Sequence, residues 1–345
     1  MTRAPSARCR PRASPTPGSP DRVNRGRSSP TRRTAALRWL GESVVRAFIV
    51  LWASATLVFF ITRLVPGDPA EAALGGPGSQ ASEEAVEAVR RQFGFDQPLV
   101  VQYGIAMLSL LRLDLGSSYA LRQPVATILL DAVPGTLVLA VLALLVAWIL
   151  AIGLTLAQSQ GSRIAARIGD TLEIVASALP HFWLATILIA VFSTALSWFP
   201  PVSTGTPTGL VLPVVTLAVP IAGFLAQVMR GSLQEALDAP FATSALARGE
   251  TRVGLRVRHA LRHAALPALG LSAWAFGYLI GGAVVVETIF ARPGLGRTLL
   301  SAITVRDIPV VTGVVLVSAL VYVILTLVTD AVTRLVDPRT AVGGR

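Results

Sequence analysis

Six stretches of the chain are almost unbroken runs of apolar residues, at 44–65, 134–157, 174–198, 210–229, 266–289 and 308–332. A helix that crosses a bilayer needs about 20 mostly apolar residues. The second run is the most continuous (TLVLAVLALLVAWILAIGLTLA). Only a helix satisfies every backbone group inside such a segment. The pattern therefore predicts an all-α polytopic membrane protein with about six transmembrane helices. Between the first two runs, residues 66–133 carry local signals of their own. Ser82 stands where it caps a helix, Glu83 and Glu84 suit its positive first turn, Val86, Val89 and Phe93 form a stripe, and Gly94 ends it. This structured outer segment reads either as a linker packed on the membrane surface or as a docking or lid element.

Composition agrees. Of 345 residues, 53% are hydrophobic and 14% charged, against about 25% charged in an ordinary soluble domain. The net charge is +11, and every basic residue is Arg, because the chain contains no Lys. Basic chains often bind nucleic acid. Here the arginines sit in the N-terminal tail and beside apolar runs, which is the juxtamembrane pattern of a protein facing anionic lipid. No nucleic-acid partner is expected. Cys9 is the only cysteine, which excludes an intrachain disulfide.

Residues 1–40 form a basic tail rich in Arg, Pro and Ser, which predicts disorder. Arg32-Arg33 faintly resembles a twin-arginine export signal, but the following run is long enough to span and no cleavage site stands out. The membrane domain covers 41–338, and 339–345 form a short C-terminal tail. Arg163 and Arg167, the arginines of the loop 230–262, and Arg334 and Arg339 mark one side as cytoplasmic, with both termini on it. Arg292, Arg297 and Arg306 fall on the opposite side as an exception.

No catalytic grouping emerges. Without Lys there is no phosphate-cradling G-x-x-x-x-G-K-[ST] loop, and neither G-x-S-x-G nor H-E-x-x-H occurs. A membrane enzyme therefore has no candidate active site. His259 and His263 stand four apart, yet lack a third ligand, so no metal is expected. His181, next to Pro180, reads as a hydrogen-bonded interior residue. Pro180 and Pro220 are candidate kinks. Gly277, Gly281 and Gly282 give a G-x-x-x-G face suited to close helix packing. Glu287 falls near the outer end of the fifth run. It reads equally as an interfacial carboxylate and as a residue lining a wet translocation path.

The loop RGSLQEALDAPFATSALARGETRVGLRVRHALRHAALPALG resembles the cytoplasmic EAA loop of ABC importer permeases, dipeptide/oligopeptide and nickel branch. Thr243-Ser244-Ala245 stands in the E-A-A place, Gly249 in the glycine place and Leu266-Pro267 at the end. RHALRHAALP is similar to that branch's RHALRNALIP, with His263 where Asn is usual. LVPGDPAE, FGFDQPLVVQYG, LLRLDLGSSY, ALPHFWLA, GGAVVVETIFARPGLGRTLLSAITVRDIPVV and LVDPR resemble further segments in the branch's order.

The resemblance implies a fold of the type I ABC importer permease kind. It implies a plasma-membrane subunit that forms the translocation path for dipeptides or oligopeptides and holds no cofactor itself. ATP and Mg would bind two partner ATPases. A second permease, expected to be a different paralogue, and an extracytoplasmic solute-binding protein complete the assembly. The docking helix would cover roughly 240–249, with Phe241 and Ala245 on its contact face. Gly249 suits its end and Arg248 its negative pole. The alternative from another class is a secondary transporter driven by an ion gradient, but no internal repeat is evident.

Overall fold

The structure, a computed structural model, describes residues 32–64, 67–75, 81–160 and 162–336. The chain divides into two units, Met1–Glu42 and Ser43–Arg345. In the first, only the helical backbone from Arg32 is described. Helix α1, Arg32–Leu64, thus begins inside the segment 1–40 expected to be disordered. The remainder of that tail and residues 339–345 lie outside the described residues.

Among the described residues, five helices are long and apolar enough to cross a membrane, or six if one bent pair counts as a single span. After α1 come three shorter helices of the outer segment: α2 (Pro69–Ala73), α3 (Glu83–Gln92) and α4 (Leu99–Leu111). The signals for α3 hold. Ser82 Oγ accepts from Ala85 N–H at 3.3 Å, and Gly94, with φ +66°, closes the other end. Helix α4 was not read from the sequence. At 13 residues it is too short to span. Its inner face is fastened to α1: Tyr103 pairs with Thr56 at 2.9 Å, and Arg63 donates to Gln102 Oε1 at 2.7 Å. Asp68, the N-cap of α2, pairs with Arg90 of α3 at 2.5 Å.

The second span begins earlier than 134. Helix α5 runs over Val125–Gln158 with Pro134 inside it. Its first turns are not outer loop, because Val125 and Leu129 pack against Val310 and Val314 of the last helix. The third run, expected as one span over 174–198, is two helices. Helix α6 (Arg163–Ala178) and the segment α7 (His181–Leu188, continued as a π-helical turn over Ile189–Ala195) meet at 107°. Leu179 precedes a proline and is driven to an extended conformation, ψ 123°, which no helix continues through. Pro220, by contrast, lies within an unbroken α8, Thr208–Asp238.

The loop expected over 230–262 is mostly helical. Helix α8 runs on to Asp238, α9 covers Pro240–Ala247, and a short α10 (Arg252–Gly254) passes through a π-turn (Leu255–Ala260) into α11, Leu261–Ile289. The last two helices among the described residues are α12 (Leu295–Thr304) and α13 (Ile308–Val336).

Helix α8 is the centre of the bundle. It packs against α5, α6, α7 and α11, and Leu217, Ala218, Leu225, Ala226 and Met229 are fully buried. Positions such as Ile49, Leu57 and Ile61 on α1, and Leu130, Leu145 and Ile149 on α5, face outward. Large exposed aliphatics suit a hydrocarbon surround.

Small residues allow these close approaches. A Cβ on Gly223 of α8 would lie 2.7 Å from the Glu173 carbonyl oxygen and 2.8 Å from Ser177 N, both backbone atoms. Gly231, two turns further on, has nothing within 4 Å. Gly223→Ala is therefore expected to destabilise by about 1–3 kcal/mol through overpacking. Gly231→Ala is expected to be neutral or stabilising by up to about 1 kcal/mol. Thermal unfolding of the two variants in the same detergent checks the opposite signs.

Candidate functional site

Helix α9 is the element the loop motif pointed to, and it is fixed at both ends. Ala239 is extended, with ψ 151°, as a residue before proline must be, and Pro240 opens the helix. At the other end Glu250 N–H donates to the Ala245 carbonyl at 3.1 Å and Gly249 N–H to that of Leu246 at 3.0 Å. These are the paired bonds of a Schellman closure, and Gly249 adopts the φ of +89° that it demands. Arg248 is the C-cap residue.

The inward face of α9 differs from expectation. Ala245 was assigned to the contact face, but with Ala242 it is buried against Leu255 of the chain itself. Phe241 is half-buried and its ring lies against His263, with centroids 5.1 Å apart and planes tilted by 37°. The open face consists of Thr243, Ser244, Leu246 (41% exposed), Ala247 and Arg248. Helix α9 has eight residues and must rest on a neighbour. The residues at i and i+3 that do this cannot also face a partner. Leu266 and Pro267 lie inside α11 rather than at its start.

Glu287 is enclosed by side chains and backbone of its own chain. It is 0% exposed. Oε1 accepts from Thr136 Oγ at 2.5 Å, and Oε2 accepts the backbone N–H of Gly296 at 2.8 Å and of Arg297 at 3.1 Å. Those amides belong to the first turn of α12, where N–H groups lack intrahelical partners. A carboxylate there is stabilised by charge and by hydrogen bonding. Thr136 Oγ in turn accepts from Leu295 N–H at 2.8 Å. Glu287 therefore clasps α12 to α5 and α11.

The glycine face is partly displaced. A Cβ on Gly277 would meet Tyr322 of α13 at 3.0 Å, whereas Gly281 has open space, and the second close approach belongs to Gly282, against Leu217 and His181. His181 was expected to be hydrogen-bonded, but its Nε2 is buried without a partner. Among the described residues, no group of three His, Cys, Asp or Glu is placed to hold a metal.

Two of the three arginines that broke the charge rule have structural roles. Arg292 donates to Ser203 Oγ and to the Gly135 carbonyl, both at 3.3 Å, and Arg297 donates to the Ala291 carbonyl at 2.9 Å. Burial lowers the pKa of Arg292, with Glu287 opposing. Sequence reasoning passed over Asp307, which is buried and accepts from Ser118 Oγ and from the backbone N–H of Tyr119 (3.2 Å) and Ala120 (3.3 Å). This ties the loop before α5 to the α12–α13 junction. The available signal was an acid immediately before Ile308-Pro309, at a helix start. Burial and the Asp307 charge, opposed by Arg63, push the nearby Tyr119 phenol up to about 12. Glu173 and Arg230 also went unnoticed.

Residues 143–342 match the family described as binding-protein-dependent transport system inner membrane component, and residues 36–140 match its N-terminal part. The chain belongs to this family. A peptide transport system permease protein of Brucella abortus is 36% identical over 314 residues, covering 86% of this chain and 97% of that protein. The glutathione transport system permease protein GsiC of Salmonella choleraesuis is 34% identical over 286 residues, covering 82% and 92%. A chain of the MetNI methionine ABC transporter in an inward-facing conformation superposes with a TM-score of 0.50 at 19% identity, over 61% of this chain and 96% of that one, a likeness of fold alone.

As a binding-protein-dependent permease, the protein is a multi-pass membrane subunit of an ATP-driven importer. The ion-gradient alternative is not favoured. The permease is not an enzyme, and ATP hydrolysis belongs to a separate subunit. An ATPase and a binding protein are its partners.

The Glu287 clasp is testable. Glu287→Leu strands two amides and a hydroxyl, each worth about 1–3 kcal/mol. The variant is expected to lower the melting temperature of the purified permease by roughly 5 °C or more, with Thr136→Val giving part of the loss. A fall in transport at unchanged melting temperature would instead place Glu287 on the path.

Proposed function

We propose that this permease imports dipeptides or oligopeptides, and that the open face of α9 docks a cytoplasmic ATPase. The assignment of substrate class is supported by the names of the relatives, one a peptide and one a glutathione system. The single observation that carries the docking role is a short helix closed at both ends, by Pro240 and by Gly249 at φ +89°. Its outward side presents Thr243, Ser244, Leu246, Ala247 and Arg248 without large contacts of its own. A contact that transmits displacement must keep its geometry under load, and this end geometry is fixed by backbone bonds rather than by rotamers.

The arginine excess favours the cytoplasmic side for α9 and for both termini. A second permease, two ATPases that hold ATP and Mg, and an extracytoplasmic solute-binding protein complete the assembly. The translocation path would lie between the permeases.

Gly249→Val forces a β-branched residue into a left-handed backbone, which costs about 1–3 kcal/mol. Leu246→Glu alters the open face without touching that backbone. Both variants are expected to insert normally, yet to lower ATPase co-purification and to reduce hydrolysis stimulated by peptide-loaded binding protein at least about fivefold. Full docking and stimulation in both would refute the docking role. Competition with di- and tripeptides, read as uptake into proteoliposomes, tests the substrate class.

A further inference from the structure

The end of the bundle that carries α9 holds a polar cluster used by neither the docking face nor the outer clasps. Glu173 on α6 is fully buried. Its Oε1 accepts from Nε2 of Gln158, the last residue of α5, at 2.6 Å. Its Oε2 stands 3.1 Å from Arg230 Nε of α8, and Arg230 Nη1 stands 2.7 Å from Asp170 Oδ1. The arginine contacts are ion pairs by distance rather than aligned hydrogen bonds. Gln227, one turn before Arg230, donates to the Glu173 carbonyl at 3.1 Å and to Ser177 Oγ at 3.0 Å. One buried carboxylate therefore fastens three helices at one level.

The position of the cluster matters. Arg230 lies about 12 Å along α8 from its end at Asp238, where α9 begins. Glu173 lies about 9 Å along α6 from the break at Leu179, beyond which α7 turns away. Apolar burial is non-directional and by itself fixes no single register between two helices. The Glu173–Arg230 pair resists sliding, because Arg230 is partly exposed but Glu173 is fully buried and loses its charged partner on separation. At this level α6 must follow α8.

We propose that the Gln158–Glu173–Asp170–Arg230 cluster is the joint that carries displacement of α9 through α8 into the bent α6–α7 pair, with Glu173 and Arg230 as positioning residues for coupling. This inference rests on the docking role of α9. A simple brace would also hold the helices together at rest. The joint makes the further claim that α6 and α9 keep their separation while ATP moves the assembly.

The test uses the full complex in lipid nanodiscs, with spin labels at Arg167 on α6 and at Asp238, the exposed last residue of α8 that leads into α9 and lies outside the docking face. In the wild type the distance between labels is expected to be the same without nucleotide and with ATP–vanadate. In Arg230→Gln and Glu173→Gln the ATPase is expected to co-purify as before. The distance should then change by about a helical turn, ~5 Å, on adding ATP–vanadate. Hydrolysis stimulated by binding protein loaded with a dipeptide mixture should fall about tenfold relative to basal hydrolysis. Arg230→Lys, which keeps the charge, should restore most of both. A wild-type distance that changes with nucleotide overturns the joint, and so does a distance in both variants that stays constant. If Glu173→Gln fails to insert, Arg230→Gln, whose side chain is partly exposed, carries the same test. Failure of the docking role would show differently, as full ATPase co-purification by Gly249→Val and Leu246→Glu.

Discussion

The structure depends on the enclosure of α8. Most helices of the bundle turn one side to lipid, but α8 is surrounded by α5, α6, α7 and α11. In a bilayer, apolar area gives little drive for helices to associate, so close packing and polar contacts must supply it. Helix α8 meets that demand with small residues, among them Ala218, Gly223 and Ala226, and with Arg230 near its end. Since α9 is joined to α8 by Ala239 alone, a force on α9 reaches the most tightly held element directly, and it reaches α11 through Leu255.

The buried carboxylates follow one rule. A charge away from water persists only where partners surround it. At the end of the bundle away from α9, Glu287 and Asp307 each gather backbone amides and a hydroxyl, and so fix α12 and the loop before α5. On the other side Glu173 gathers side chains from α5 and α8 instead. Amides belong to fixed turns, whereas Gln158 and Arg230 sit on separate helices. The one pair holds backbone turns in place, whereas Glu173 ties side chains of separate helices.

Much of this was legible in the sequence. Run length gave the all-helical membrane class and about the number of spans, five among the described residues or six with the bent α6–α7 pair, and Ser82, Gly94 and Gly249 gave helix ends, because capping is a local property of backbone and residue type. What escaped depends on long-range partners. Cutting the third span at Ile174 and the fourth at Met229 placed Glu173 and Arg230 in loops, since hydropathy treats a charge as a boundary. In three dimensions they neutralise each other inside the helices. The clasp at Glu287 escaped for the same reason: nothing in its neighbourhood reveals Thr136, more than a hundred residues away. Ala245 was assigned outward because the motif marks the helix, not which of its faces rests on Leu255.

The most direct measurement of the central claim is site-specific cross-linking at α9. With Cys9 replaced and a single cysteine at Ala247, inside-out membrane vesicles containing the whole transporter are treated with a short bifunctional reagent. A cross-link to the ATPase subunit, with a yield that changes on adding ATP, is the predicted result. Labelling of the same cysteine by an impermeant reagent from the extracytoplasmic side, with no ATPase adduct, would contradict it.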